Sequence, residues 1–209
     1  MDFEKKGVAL EAASRLVKLL QLAELQASDS AWAVAAAALV THIHAQADGC
    51  VSRKWQLIAA EALVIPALIG ILSRRTAAPS LKLHAVDALR LTLSTNDANQ
   101  KAASSAVSVL LDLITNAPPP PPPSEGPKAA VLARNTAEQL RDAALEALSE
   151  LLFMNKPAQD AATAAGVVKL LIMFINCSAS HNLNPASTQA RALRVLANLT
   201  RGNVIPDAV

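Results

Sequence analysis

One pattern recurs along this sequence and constrains its fold more than any other feature: an Ala-Leu pair, further apolar residues at helical spacing, and then a polar turn. Three clear copies and a weaker fourth cover residues 84–96, 142–155, 189–203 and 33–46. The alanines of these pairs form one column: Ala38, Ala88, Ala147 and Ala192. Successive members are 50, 59 and 45 residues apart. Repeats of about this period are typical of stacked helical units, because a single unit cannot bury its own apolar face.

A second pattern lies between the copies of the first: a short polar helix start, a bend of small residues, and an apolar helix. It covers residues 54–72, 99–114 and 157–175, with a truncated relative at 7–20. Each unit is therefore predicted to hold a short, a middle and a long helix. The predicted units are 7–47, 51–96, 97–155 and 156–203. The composition favours an all-α chain, because Ala and Leu supply most of the 52% of apolar residues and only 2% are aromatic.

The third unit carries an insertion, residues 117–134, which explains the step of 59 residues. Six consecutive prolines, from Pro118 to Pro123, exclude a helix and favour polyproline II. Without about 17 residues the step returns to the roughly 40–47 expected of helical repeats. The segment is predicted to be a surface loop. Its prolines are a candidate ligand for SH3- or WW-like aromatic grooves, although a solvated linker is the simpler interpretation.

The long helices are predicted to be amphipathic. In the third unit the apolar stripe comprises Ala144, Ala147, Leu148, Leu151 and Leu152. In the fourth unit it comprises Ala192, Leu193, Leu196, Ala197 and Leu199. Small alanines allow neighbouring helices to approach closely, so these stripes are predicted to form the core between stacked units.

Residues 155–203 resemble an armadillo repeat. The resemblance is carried by Asn155, Gln159, the Ala165-Gly166 bend and the run from Ala192 to Leu199 that contains Asn198. It implies an all-α, right-handed armadillo-type solenoid of about four repeats. HEAT-type repeats are the nearest alternative, and the three-helix unit argues against them.

The resemblance also implies that the third helices line a concave groove that binds other proteins. Two columns are expected to point into it, formed by Val40, Arg90, Ser149 and Arg194, and by His44, Ser94, Phe153 and Asn198. In nuclear-import armadillo proteins such columns are ladders of Trp and Asn. Only Asn198 fits here and no Trp does, which argues against a receptor for nuclear-localisation signals. The alternative is that these positions are ordinary solvated or half-buried residues.

Catalysis, cofactors and metals find no support in the sequence. Nucleophile-elbow and phosphate-loop motifs are absent, and no cofactor is predicted. His42 and His44 are two residues apart on a predicted helix and point to different faces, while His84 and His181 have no ligand cluster beside them. Asp142, Glu146 and Glu150 form an acidic stripe; acid–base chemistry is one interpretation, and a solvated helix face is the preferred one. The protein is predicted not to be an enzyme.

Nucleic acid and membrane are also disfavoured as partners. The net charge is +2 and no basic block exceeds two residues, so a clustered phosphate-binding face is lacking. The most apolar segment, residues 55–72, contains Glu61 and Pro66 and is read as a buried helix pair broken near Pro66. Cys50 and Cys177 form no CxxC motif, which favours a reducing compartment.

The sequence therefore predicts a non-enzymatic scaffold for other proteins. The C-terminal end, residues 203–209, is similar to the opening of another first helix, so the array is expected to lack a polar cap there and to bind a partner end-on or to be part of a longer protein. The short array resembles armadillo-like subunits of large assemblies, including those of ciliary axonemes. This resemblance implies a cytoplasmic, ciliary or cytoskeletal location. The alternatives are a peptide-binding adaptor in transport or ubiquitin ligation and a fragment of a larger enzyme.

Overall fold

A computed structural model describes residues 64–94, 96–116, 126–181 and 186–201. Within these ranges the chain is all-α and forms eight helices with no strand, which confirms the all-α part of the predicted fold class. In chain order the helices are α1 Val64–Ser73, α2 Pro79–Leu93, α3 Asp97–Ala102, α4 Ala106–Thr115, α5 Gly126–Leu152, α6 Lys156–Ala164, α7 Val167–His181 and α8 Ala186–Arg201. The predicted unit 7–47, His42, His44, the prolines Pro118 to Pro123 and residues 203–209 lie outside the described residues.

The helices pack in a repeated order. The long helix α5 packs against both α2 and α8. A second type of contact pairs each middle helix with the long helix that follows it: α1 with α2, α4 with α5, and α7 with α8. The short helices α3 and α6 both contact α5, and α6 also contacts α4 and α7. The buried core is continuous across these contacts and consists almost wholly of Ala, Leu, Ile and Val, as expected where small side chains let helices approach closely.

The buried positions of the three long helices share one register. Going down each helix, the buried residues are Leu81, Ala85, Ala88 and Thr92 in α2, Leu140, Ala144, Ala147 and Leu151 in α5, and Thr188, Ala192, Val195 and Leu199 in α8. The first two sets are 59 residues apart, as predicted, but the second and third are 48 apart instead of 45. Ala192 therefore corresponds to Ala144 and not to Ala147.

The buried positions also differ from the predicted apolar stripe of α8. Leu193 and Ala197 are exposed, and Val195 takes a buried place that the sequence alignment did not give it. An amphipathic helix repeats its apolar positions every three or four residues, so a shift of three keeps the apolar pattern nearly intact in sequence. The stripe predicted for α5 is buried throughout.

Buried amide side chains join successive units. Asn155 caps α6, since its side-chain oxygen accepts from the Ala158 amide, while its Nδ2 donates to the Gln100 carbonyl at 2.8 Å. Gln100 and Gln159, 59 residues apart, each donate to the carbonyl of the last residue of the preceding long helix, Leu93 at 3.2 Å and Leu152 at 2.9 Å. These bonds satisfy groups that a helix end leaves unpaired.

The segment predicted as an insertion loop is helical over part of its length. Residues 126–134 belong to α5, which begins at Gly126. Proline excludes the helix only where it removes internal hydrogen bonds, and Pro127 lies in the first turn, where its missing N–H costs nothing. The residues that follow are rich in Ala and Leu, and Arg134 pairs with Glu138 one turn on. The predicted loop is thus too long at its C-terminal end.

Two turns contain residues with positive φ. The predicted bend at Ala165-Gly166 is confirmed: α6 ends at Ala164, Gly166 has φ +77°, and α7 begins directly afterwards at an angle of 72°. The second turn follows α5, where Met154 has φ +52° although it is not glycine. Among the described helices none is long and apolar enough by itself to span a membrane, and only α6 and α7 taken together, across their bend, meet that test of length and composition.

Candidate functional site

Charged side chains on α2, α5 and α8 form cross-helix ion pairs on one face. The set comprises Asp87 and Arg90 of α2, Asp142, Glu146 and Glu150 of α5, and Arg191 and Arg194 of α8, and we call it the charge ladder. Arg191 donates from Nε to Glu146 at 2.7 Å and from a terminal nitrogen to Asp142 at 3.0 Å. Arg90 Nε lies 3.6 Å from the other oxygen of Glu146. Glu146 thus joins all three long helices.

The ladder continues on both sides of this centre. Arg194 donates to Glu150 at 3.0 Å, and the Thr188 hydroxyl donates to Asp142 at 2.7 Å. The hydrogen bond to Glu146 raises the pKa of Arg191; partial burial opposes this rise, and the charge of Asp142 adds to it. Arg191 is therefore a permanent cation, held between two carboxylates in a fixed geometry.

The acidic stripe differs from the solvated face predicted from the sequence. The side chains of Asp142, Glu146 and Glu150 are only 22%, 33% and 18% exposed, and each is paired with an arginine of a neighbouring helix. One sequence signal could have indicated this: carboxylates at four-residue spacing precede arginines at 191 and 194 in the next unit. Finding the pairs required knowing which long helices are neighbours.

Two of the predicted groove residues are buried against each other. Ser149 and Asn198 are 1% and 5% exposed. Asn198 Nδ2 donates to both the carbonyl and the hydroxyl oxygen of Ser149, and Gln159 donates to the Asn198 carbonyl at 3.0 Å. The pair therefore holds α8 on α5, and its burial leaves little of it accessible to a partner.

The remaining predicted groove residues are accessible to different degrees. Arg90 and Arg194 belong to the ladder, and Arg194 is the most exposed member of its ion pair. Phe153 is half-buried, with the Arg201 guanidinium 5.8 Å from its ring centroid. Ser94 is half-buried at the end of α2. The structure thus places Arg90 beside Glu146 and Arg194 beside Glu150. The sequence analysis had assigned these two glutamates to a separate, solvated acidic stripe.

A cavity of about 270 Å³ opens beside the ladder, between α2 and α5, with Leu83, Asp87, Gln139, Asp142, Glu146 and Arg191 among its lining residues. It combines acceptors, a guanidinium donor and apolar walls. Its carboxylates Asp142 and Glu146 are engaged with Arg191, an arrangement suited to recognition more than to proton transfer. Over the described ranges, no three His, Cys, Asp or Glu side chains are grouped so that they could hold a metal ion.

No protein-family model matches this sequence, and no curated protein or solved structure shows significant similarity to it.

Proposed function

We propose that this protein is a non-enzymatic scaffold that binds another protein along the charge ladder, as a subunit of a larger intracellular assembly. The observation that carries the proposal is that α2, α5 and α8 share one buried register and join their charged side chains on a common face. We further propose that this arrangement is an armadillo-type solenoid, in line with the sequence resemblance of residues 155–203. A partner segment lying across the three long helices would meet both carboxylates and guanidinium groups.

The partial burial of the ladder favours recognition by a protein. Charged groups that are already ordered by ion pairs lose little side-chain entropy when a partner binds. They also discriminate against partners whose charges do not match, because like charges in contact cost several kcal/mol. The exposed guanidinium of Arg194, anchored at one side by Glu150, provides the donor best placed for a first contact.

A second candidate function, an adaptor for a linear peptide, is favoured by the cavity beside Asp87 and Arg191. Its volume of about 270 Å³ is enough for one or two peptide side chains and too small for a folded domain. A stable assembly subunit is expected to copurify stoichiometrically and to resist salt. An adaptor is expected to release its peptide as salt screens the ladder.

Arg194→Glu tests the ladder as a binding face, with Arg134→Glu as the matched control. Both arginines are well exposed and each is paired with a glutamate, but Arg134 lies about two turns before Asp142 on α5, and its partner Glu138 is not a member of the ladder. The full chain and both variants are purified from the cells that express the protein, and copurifying proteins are quantified by mass spectrometry. A partner present in stoichiometric amounts with the wild type and Arg134→Glu is expected to fall about tenfold with Arg194→Glu. Equal recovery with both variants, or no stoichiometric partner, would overturn the proposal.

A further inference from the structure

The large apolar side chains exposed on the last two helices of the described chain include Val168 and Ile172 on α7 and Leu193 on α8. They are 37%, 46% and 51% exposed. We call these three residues the end face. Single exposed apolar residues are common on protein surfaces and need no explanation. These three residues differ from such cases because the corresponding residues one unit earlier are buried.

Helices α4 and α7 both begin directly after a turn and share one burial pattern. Ala106 and Leu110 of α4 correspond to Val167 and Leu171 of α7, 61 residues later, and all four are buried. At the same spacing Ser108 and Asp112 correspond to Lys169 and Met173, which are exposed like their counterparts. The burial differs where Val168 and Ile172 are exposed, because their counterparts Val107 and Leu111 are only 3% and 9% exposed. Phe174 and Ile175 are half-buried where Leu113 and Ile114 are buried.

The long helices show the same break. In the register shared by α5 and α8, Leu145 corresponds to Leu193. Leu145 is fully buried and Leu193 is half exposed. The elements of the following unit that pack on the earlier pair are α6, against α4, and α8, against α5. The preceding unit also packs on this pair, with α1 against α4 and α2 against α5. The end face therefore consists of positions that are buried in the unit that has described neighbours on both sides.

The contacts of α6 and α8 with α4 and α5 indicate the shape of a partner for the end face. On the C-terminal side, the earlier pair contacts one short helix, α6 against α4, and one long helix, α8 against α5. The charge around the end face indicates its chemistry. Helices α7 and α8 contain no Asp or Glu, and Lys169 and Arg201 are exposed on them. A second copy of the same face would bring like charges together, which disfavours a symmetric dimer.

We propose that the end face binds a pair of amphipathic helices of another protein, whose apolar stripe is flanked by carboxylates. The apolar stripe would cover Val168, Ile172 and Leu193, and the carboxylates would approach Lys169. This inference rests on the stacked arrangement proposed above, and it adds a second binding surface that differs from the charge ladder in position and chemistry.

A photo-crosslinking amino acid at position 172 of the full chain tests the proposal in the cells that express the protein. The matched control carries the same amino acid at position 173, because Met173 is the adjacent, 54% exposed apolar residue whose counterpart Asp112 is also exposed. Position 172 is expected to crosslink to a helical, Asp- or Glu-bearing segment of another protein, about tenfold more often than position 173. Crosslinks to this chain itself, to a second copy, or in equal yield from both positions would overturn the proposal.

The crosslinked segment, made as a synthetic peptide, is then titrated with the purified full chain. Ile172→Lys and Leu193→Lys are each expected to weaken binding about tenfold or more, while Met173→Lys changes it less than about twofold. Lys169→Glu is expected to weaken binding severalfold at low salt. Equal affinities for Ile172→Lys and Met173→Lys would exclude the end face. Binding lost with Arg194→Glu but kept with Ile172→Lys would contradict this inference alone, and the reverse result would contradict the ladder proposal alone.

Discussion

The side chain of Asn198 donates hydrogen bonds to both the carbonyl and the hydroxyl oxygen of Ser149, at 2.9 and 3.0 Å, and so fixes α8 on α5. The two residues are 49 positions apart in sequence and both are buried. The sequence resemblance placed both in a binding groove. Their contact indicates a role in stability instead. If a substitution of either residue changes binding, the stability of the variant must therefore be measured as well.

Asn198→Ala is expected to lower the free energy of unfolding by about 1–3 kcal/mol, because it leaves the buried Ser149 oxygens without their donor. Urea denaturation followed by circular dichroism measures this change. Asn135→Ala, at an exposed position of α5, is the control and is expected to change stability by about 0.5 kcal/mol or less. A loss for Asn198→Ala no larger than that of the control would contradict the structural role.

The ion pair between Arg191 and Glu146 is expected to be stronger than an exposed pair. A double-mutant cycle with Glu146→Gln and Arg191→Gln should give a coupling energy near 1 kcal/mol, at the upper end for partly exposed pairs, since Asp142 holds the guanidinium in place. The exposed pair Lys156 and Asp160, one turn apart on α6, should give about 0.3–0.5 kcal/mol. Raising the salt concentration should reduce the second value more than the first. Equal coupling in the two cycles would show that the ladder is merely a surface feature.

Met154→Gly is expected to stabilise the protein. Met154 holds a left-handed backbone conformation, with φ +52°, which costs an L-residue about 1–2 kcal/mol and a glycine almost nothing. Part of this gain is offset by the greater freedom of glycine in the unfolded chain. We expect a net increase of about 0.5–1 kcal/mol in unfolding free energy, measured by urea denaturation.

Gly166→Ala is the counterpart of that substitution and should have the opposite sign. An added Cβ at Gly166 would meet no atom within 4 Å, so only the backbone strain at φ +77° counts. A loss of about 1 kcal/mol is expected. Stabilisation by Gly166→Ala would contradict the left-handed turn between α6 and α7.

Lys82→Met should stabilise the protein at neutral pH. Lys82 lines a cavity of about 570 Å³ with Leu113 and Leu140, and its pKa is lowered chiefly by burial, with the charge of Asp112 acting in the opposite direction. The pKa of Lys82 is lower in the folded chain than in the unfolded chain. Between these two pKa values the unfolded chain binds more protons, so the stability of the wild type increases as pH rises through this range. The advantage of the variant, up to about 0.5 kcal/mol at pH 7, should therefore shrink as pH approaches 10.5.

Asp112→Asn provides the opposing test at the same site. It removes the carboxylate that supports the Lys82 cation, so stability at pH 7 should fall and should recover more steeply toward alkaline pH than in the wild type. Unfolding curves at several pH values measure both changes. A stability difference between Lys82→Met and the wild type that stays constant from pH 7 to about 10.5 would contradict the lowered pKa.

Features that depend on neighbouring residues could be predicted from the sequence. Ala and Leu at helical spacing specify the helices, Asn155 specifies the start of α6, and Gly166 specifies the turn after it, because propensity, capping and backbone freedom act within one helical turn. The all-α class follows from the same local causes. Helical residues 126–134 were missed because the prolines before them suggested a longer break than proline imposes.

The alignment of the long helices and the pairing of their charges depend on tertiary packing. Apolar residues recur every three or four positions, so two registers of α8 differ little in sequence, and packing against α5 selects the one that buries Val195 at the position of Ala147. The pairing of Glu146 with Arg191 spans 45 residues, and its geometry exists only once α5 and α8 are adjacent. Packing also buries Asn198 between α5 and α8, where its side-chain amide donates hydrogen bonds to Ser149.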